Sequence, residues 1–315
     1  MANEFIDSTQ VVSQALGVLE RDTVLANLVW KDVPGDFRGR TNDTISLRLP
    51  AYTTARTRTL RAASGITIDE LDETKVDVTL DTHVYKAIRV TDEEMTLDIS
   101  DFGAQVTGPA ISSVGREIDE SLAAEMEGAT YAVEVPLTEA DPYLGLVDAR
   151  IALNNANVPA SMRFLAVGSS VEAAILKSDR LSKFDNSGSD SALRESTIGR
   201  IAGMTAVSVP GLDPHTAIAA HKTAFTLSLV APIVPDGASW GTRQTYNGMS
   251  LRVLRDYLPD DTAGPSDRLL ADTFMGTGVV GDRGTIGTSG RFNPTVDGTD
   301  AAIFVRAVKL NLPLS

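Results

Sequence analysis

Three histidines, His83, His215 and His221, are the only imidazoles in the 315-residue chain, which contains no cysteine. An imidazole serves as a general base or metal ligand only with a partner: a second ligand at coordinating spacing, or a nucleophile beside it. None of the three has such a neighbour in sequence, and HExxH, GxSxG and GxxxxGK[ST] are absent. His83 falls on the polar phase of an alternating stretch, and His215 follows Asp213-Pro214 in a turn. Surface or hydrogen-bonded core roles are expected for all three. Without cysteine there are no disulfides, thiolate nucleophiles or thiolate metal sites, and the redox compartment stays open.

One chemical motif does match. Gly276-Thr277-Gly278-Val279-Val280-Gly281 fits GxGxxG, which cradles a dinucleotide pyrophosphate when a strand precedes it and a helix follows. Here Asp282-Arg283-Gly284-Thr285-Ile286-Gly287 follows, too rich in glycine to open a helix. The segment is read as a glycine-rich turn region. Acid pairs such as Asp260-Asp261 sit beside proline or glycine in loop composition, with nothing to place them in a cleft. No catalytic, cofactor-binding or metal-binding residue is predicted, and no enzymatic activity.

The charge distribution is more informative. Forty-two acids against 28 bases give a formal net charge of −14. That argues against a protein that grips nucleic acid through its phosphates, but not against one that encloses it without holding it. Between residues 38 and 61, Arg38, Arg40, Arg48, Arg56, Arg58 and Arg61 face only Asp43. Between 69 and 81, Asp69, Glu70, Asp72, Glu73, Asp77 and Asp81 face only Lys75. Ile45, Leu47 and Leu49 alternate with polar residues on one side of this stretch, as do Val76, Val78 and Leu80 on the other, with Val84 beyond. The simplest structure is a long hairpin with one basic and one acidic half. The halves can neutralise each other, or dock on oppositely charged neighbours in an assembly; the acids disfavour phosphate binding by the arginines.

Other elements must carry that hairpin. Ser8 to Leu28 has near-helical spacing of Val11, Val12, Ala15, Leu19 and Leu25, fitting either an arm leaning on another surface or an ordinary N-terminal helix. Pro34-Gly35-Asp36 signals a turn. Thr91 and Glu94 have capping-box spacing. Gly108-Pro109 opens the strongest helix, with Ile111, Val114, Ile118, Leu122 and Met126 on one stripe and Gly128 expected in the left-handed position past its end. Further on, Tyr143 to Ala156 reads as a helix with Leu146, Ala149, Ile151 and Leu153 near one side, Arg163 to Val167 as a strand, and Val171 to Leu176 as a helix. Ser182 to Ser196 reads as a surface loop. Gly199 to Pro210 reads as a buried strand or hairpin, and Thr223 to Val234, Met249 to Tyr257 and Ile303 to Leu312 as strands. The first ten residues lack a signal-peptide pattern. The longest apolar-rich stretch, Thr223 to Val234, falls short of the roughly 20 residues of a membrane helix, so a soluble, intracellularly made protein without a membrane partner is expected.

This order of elements resembles a tailed-bacteriophage major capsid protein of the Hong Kong 97 type. Ile198-Gly199-Arg200-Ile201-Ala202-Gly203-Met204-Thr205-Ala206-Val207-Ser208-Val209-Pro210 is similar to that family's glycine pair followed by an apolar strand. Ala217-Ile218-Ala219-Ala220-His221-Lys222-Thr223-Ala224-Phe225 resembles the segment that follows it in actinobacterial-phage capsid proteins. Gly248-Met249-Ser250-Leu251-Arg252-Val253-Leu254-Arg255-Asp256-Tyr257 and Asp272 to Asp282 continue the likeness.

The resemblance implies an α+β fold with residues 1–44 as N-terminal arm, 45–90 as the extended E-loop hairpin and 91–139 as a peripheral domain with a long spine helix. Residues 140–265 would form the axial domain and 266–315 the return to the peripheral domain. It implies a structural protein whose pentamers and hexamers close into an icosahedral shell around double-stranded DNA, without specific DNA binding. Intersubunit contacts would come from Arg56, Arg58, Arg61, Asp69, Glu70, Asp72 and Glu73. The implied location is the virion capsid, assembled in the host cytoplasm, with a separate scaffolding protein, a portal and a decoration protein as partners and no cofactor. An encapsulin-like compartment shell is the alternative, sharing the fold but holding protein cargo. Some members weld the shell through an E-loop lysine. Here no lysine occurs between Lys31 and Lys75, so no such crosslink is expected from the loop tip.

Overall fold

The computed structural model describes residues 19, 23–31, 44–49, 55–61, 65–66, 68, 74–97, 102–178, 199–238, 240–258, 266–294 and 301–313. The expected turn at Pro34-Gly35-Asp36, the loop from Ser182 to Ser196, the pair Asp260-Asp261 and all but Leu19 of the stretch 8–22 lie outside them.

Helix α1 (Asp92–Leu97) starts on the predicted capping box. Glu94 accepts the Thr91 N–H at 2.9 Å, and Thr91 Oγ1 accepts the Glu94 N–H at 3.3 Å. Helix α2 (Gly108–Gly128) buries Ile111, Val114, Ile118, Leu122 and Met126 to 1% exposure or less, so the apolar stripe is the core face. It opens at Gly108-Pro109, as expected, with a π-helical turn, Gly103–Thr107, leading into it. A wider turn suits a proline that has no N–H to donate one turn back. The other end differs from expectation: Gly128 is the last helical residue, and Ala129 leaves in an extended conformation at φ −63°, ψ 144°. No left-handed turn is needed, because side chains take the last carbonyls: Tyr131 Oη donates to Met126 O at 2.5 Å and Lys309 Nζ to Glu127 O at 3.1 Å.

Helices α3 (Pro142–Asn155) and α4 (Ser169–Lys177) follow. Leu146, Ala149 and Leu153 are fully buried, but Ile151 is 49% exposed. It lies two residues from both Ala149 and Leu153, a spacing that does not share a helix face.

The strands form two large sheets and two small ones. In the first large sheet β13 (Ser266–Val279) is the central strand, 14 residues long. It runs antiparallel to β4 (Thr82–Thr91) on one side, and on the other to β12 (Met249–Leu258) and then β10 (Phe225–Val230). β11 (Trp240–Tyr246) extends the sheet beyond β12, and β1 (Trp30–Lys31) lies parallel to β10. The second large sheet runs β5 (Glu134–Pro136), β17 (Ala307–Asn311), β9 (Thr216–His221), β6 (Arg163–Val167), β8 (Met204–Ser208), β7 (Arg200–Ile201). β14 (Asp282–Ile286) pairs with β15 (Phe292–Pro294) and β16 (Ala302–Ile303). β2 (Thr44–Leu49) and β3 (Thr74–Thr79) form the expected hairpin.

The described residues form two large cores. One packs α2 against the first sheet and against Phe164, Ala166, Ile218, Ala220 and Ala307 of the second, and takes in Leu19, Leu25 and Val29 from the N-terminal segment. The other is packed among α3, α4 and the second sheet. Strand pairing crosses the divisions at 140–265 and 266–315: residues 225–258 share a sheet with 82–91, and 307–311 share one with 163–221.

The GxGxxG segment is corrected by the structure. Gly276 and Gly278 are not in a turn; they are paired strand residues of β13, opposite Ser228 and Thr226. The strand is interrupted only at Val280-Gly281.

Candidate functional site

The hairpin is built from two six-residue strands in register, Thr44 opposite Thr79 and Leu49 opposite Thr74. Alternation of β-branched and polar residues makes these strands, and Thr44 Oγ1 and Thr79 Oγ1 share a hydrogen bond at 2.9 Å where they meet the body. Beyond the paired strands, Arg56, Arg58 and Arg61 are all exposed. Arg61 adopts φ 64°, a left-handed turn conformation costly for a side chain with a Cβ. The acids Asp69, Glu70, Asp72 and Glu73 lie outside the described residues. On the acidic limb, Lys75 Nζ lies 3.3 Å from Asp77, a solvent-facing pair worth about 0–1 kcal/mol.

The segment between the two strands holds residues that charge reasoning passed over. Leu60 is 92% exposed, Ile66 82% and Ile68 90%. Three large apolar side chains left this bare on one projecting segment would each gain about 1.5–3 kcal/mol if fully buried. Their signal in the sequence was apolar residues inside a charged, turn-rich loop, with no alternation to bury them on a neighbouring strand.

The root of the hairpin is anchored on the first large sheet. Val78 is 1% exposed and packs with Trp30 and Val76. Farther along that sheet, ion pairs link β12 to β13. Asp272, fully buried, accepts from Arg252 Nε at 2.8 Å and Nη2 at 2.5 Å, and lies 3.0 Å from His83 Nε2. Arg255 pairs with Asp267, and Arg268 with Asp256 at 2.9 Å. His83 thus finds a carboxylate 189 positions away, a partner invisible in local spacing. His215 sits in the expected turn, its N–H bonded to Asp213 Oδ1 at 2.8 Å. His221 is buried, and its Nδ1 accepts the Thr223 N–H at 3.3 Å. Burial, with Arg306 and Arg163 nearby, pushes its pKa below the usual imidazole range.

A second junction fixes the N-terminal segment. The Asp119 carboxylate, on α2, accepts the backbone N–H groups of Val24 at 2.5 Å, Leu25 at 3.2 Å and Ala26 at 3.1 Å. Those donors open the 3-10 turn Leu25–Asn27 and would otherwise be orphaned. Burial raises the Asp119 pKa even though these three bonds pull it down.

Among the described residues no group of three or more His, Cys, Asp or Glu side chains is placed to hold a metal ion, and no helix is long and apolar enough to cross a membrane. An open groove beside Tyr131, Ile303 and Phe304 presents apolar walls, and the Tyr131 hydroxyl there is already bonded to Met126. What the geometry offers is a stiff body with one projecting, partly apolar, arginine-bearing hairpin.

No family model matches the sequence, and no curated protein matches it. Solved structures do match in fold. A structure from Mycobacterium phage Che8 superposes with a TM-score of 0.62 over 92% of this chain and 91% of that one, at 20% identity. The mature capsid of bacteriophage PhiM1 gives 0.59 over 100% and 90%, at 11% identity. This chain has the Hong Kong 97-type capsid fold. The virus-like particle from Pyrococcus furiosus also superposes, with a TM-score of 0.51 over 96% and 98% of the chains at 14% identity. In this chain α2 is the long helix under the first sheet, and β2 and β3 pair as a hairpin.

Proposed function

We propose that this chain is the major shell protein of a tailed-phage head, a structural protein and not an enzyme. Copies assemble as pentamers and hexamers into an icosahedral shell, and the shell encloses double-stranded DNA without binding its sequence. The observation that carries this reading is the hairpin: Leu60, Ile66 and Ile68 stand in solvent next to Arg56, Arg58 and Arg61 on a chain with the capsid fold. A lone subunit gains nothing from three bare apolar side chains, whereas a subunit with neighbours buries them. Arginine suits such repeated contacts because its planar fork binds carboxylates bidentately and keeps its charge. Asp69, Glu70, Asp72 and Glu73 supply the complementary acids of the same loop. The net charge of −14 keeps the wall from adhering to packaged phosphates.

In this reading residues 1–44 are the arm, 45–90 the E-loop, 91–139 with 266–315 the peripheral domain, and 140–265 the axial domain. Assembly proceeds in the host cytoplasm with a separate scaffolding protein and a portal, and a decoration protein binds the finished virion head. An encapsulin-like compartment would use the same fold. Several of the superposing structures are phage capsids, which supports the DNA-enclosing shell. Electron microscopy of the purified protein, with nuclease digestion of its contents, tests both points. Closed shells, tubes or capsomer rings are expected, with DNA in particles from infected cells; a protein that stays small with scaffold supplied would overturn the reading.

A further inference from the structure

The glycines of the GxGxxG segment do no cofactor chemistry, yet they sit where the hairpin joins the body. Thr226 lies opposite both Trp30 and Gly278, so these three residues form one row across β1, β10 and β13. Gly276 is two residues along on the same face. The end of β3 lies on that row. A methyl group at Gly276 would collide with the Thr79 carbonyl oxygen and lie 3.0 Å from its carbon and 3.3 Å from Leu80 N. A methyl at Gly278 would meet Thr226 Oγ1 at 3.0 Å and Val78 Cγ2 at 3.4 Å. Glycine inside a strand weakens the strand, and its usual reason is the close approach of another backbone. Here that backbone is the hairpin root, with Val78 wedged between Trp30 and Gly278.

We infer that Gly276 and Gly278 fix the direction in which the hairpin leaves the body, and thereby the curvature of the shell. The inference rests on the shell reading for its second half only. Clearance at the root acts on a lever: six strand residues extend about 20 Å, so a displacement of about 1 Å at Thr79 becomes several ångströms at the tip. A neighbour engaged by that tip is tilted accordingly.

The chain contains no cysteine, so two introduced ones report the angle directly. Spin labels at Thr59→Cys on the hairpin and Glu117→Cys on α2, both exposed positions, give the tip-to-body distance by pulsed electron resonance on the unassembled full-length chain. Gly276→Ala is expected to shift the mean distance by about 3 Å or more with unchanged far-UV circular dichroism. Gly128→Ala, where an added methyl meets nothing within 4 Å, is expected to leave it unchanged. A folded Gly276→Ala chain with the wild-type distance overturns the inference. If that variant does not fold, Val78→Ala removes the wedge without adding bulk; a broadened distance distribution supports the pivot, and an unaltered one overturns it. Under assembling conditions the glycine variant is expected to give particles of altered diameter, and wild-type diameter would refute the link to curvature. Failure of the wild type to assemble would count against the shell reading alone, because the label distances are read before assembly.

Discussion

The Asp119 carboxylate accepts the Val24 backbone N–H at 2.5 Å, tying the start of the N-terminal 3-10 turn to the long helix. The bond is one of three from consecutive residues, so a single side chain caps the turn and holds Leu25 and Ala26 in the core. Asp119→Ala leaves those N–H groups without their acceptor and is expected to cost about 1–3 kcal/mol of stability. Limited proteolysis should then cut first between residues 19 and 31. An unchanged denaturation midpoint and cleavage pattern would contradict this role.

Asp272 presents the opposite problem, a fully buried charge whose partner Arg252 is itself only 11% exposed. Removing one member leaves the other stranded, so Asp272→Ala is expected to destabilise by about 3–5 kcal/mol. Arg252→Lys should restore little, since a single ammonium cannot reproduce the two-pronged contact. Urea denaturation of both variants measures it, and a loss near zero for Asp272→Ala would show that the pair does not hold the sheet.

His221 makes stability depend on pH. Its folded pKa is lowered, chiefly by burial and then by Arg306 and Arg163, so the folded state keeps the imidazole neutral. Below about pH 6.5 the unfolded chain takes up a proton that the folded chain resists. The contribution is therefore complete above that pH and is lost as the pH falls towards the folded value. In His221→Gln the stability difference between pH 7 and pH 5 should be smaller than in the wild type. Parallel stability curves for the two proteins would exclude this assignment.

Much of this architecture was legible in the residues, and the reasons are physical. The stripe from Ile111 to Met126 repeats at helical spacing over four turns, so no other structure could bury it. The strands flanking the arginine run alternate cleanly and pair as expected. Thr216–His221 is a short strand buried on every residue, a run that carries no alternation to mark it. The glycines of β13 mislead because their cause is non-local: only the arrival of Thr79 and Val78 explains them. The ligands of Asp272 come from strands far apart in sequence, beyond any spacing rule. At the hairpin, charge drew attention to Arg56, Arg58 and Arg61, while the exposure of Leu60, Ile66 and Ile68 needed the fold.

The loop tip also predicts what mature particles lack. With no lysine between Lys31 and Lys75, the tip has no amine for an amide crosslink. In mature particles boiled in detergent, this chain should run as a monomer. A ladder of covalent multimers would refute this.

The apolar tip tests the account most directly. Sedimentation velocity would compare the wild-type chain with the Leu60→Asp, Ile66→Asp, Ile68→Asp triple variant under the same assembling conditions, with scaffolding protein supplied. These side chains are 82–92% exposed in the single chain, so the substitutions should leave its thermal unfolding nearly unchanged. The account predicts that the wild type sediments as large closed particles while the variant stays at the size of free subunits. Equal assembly of both proteins, or of neither, would contradict it.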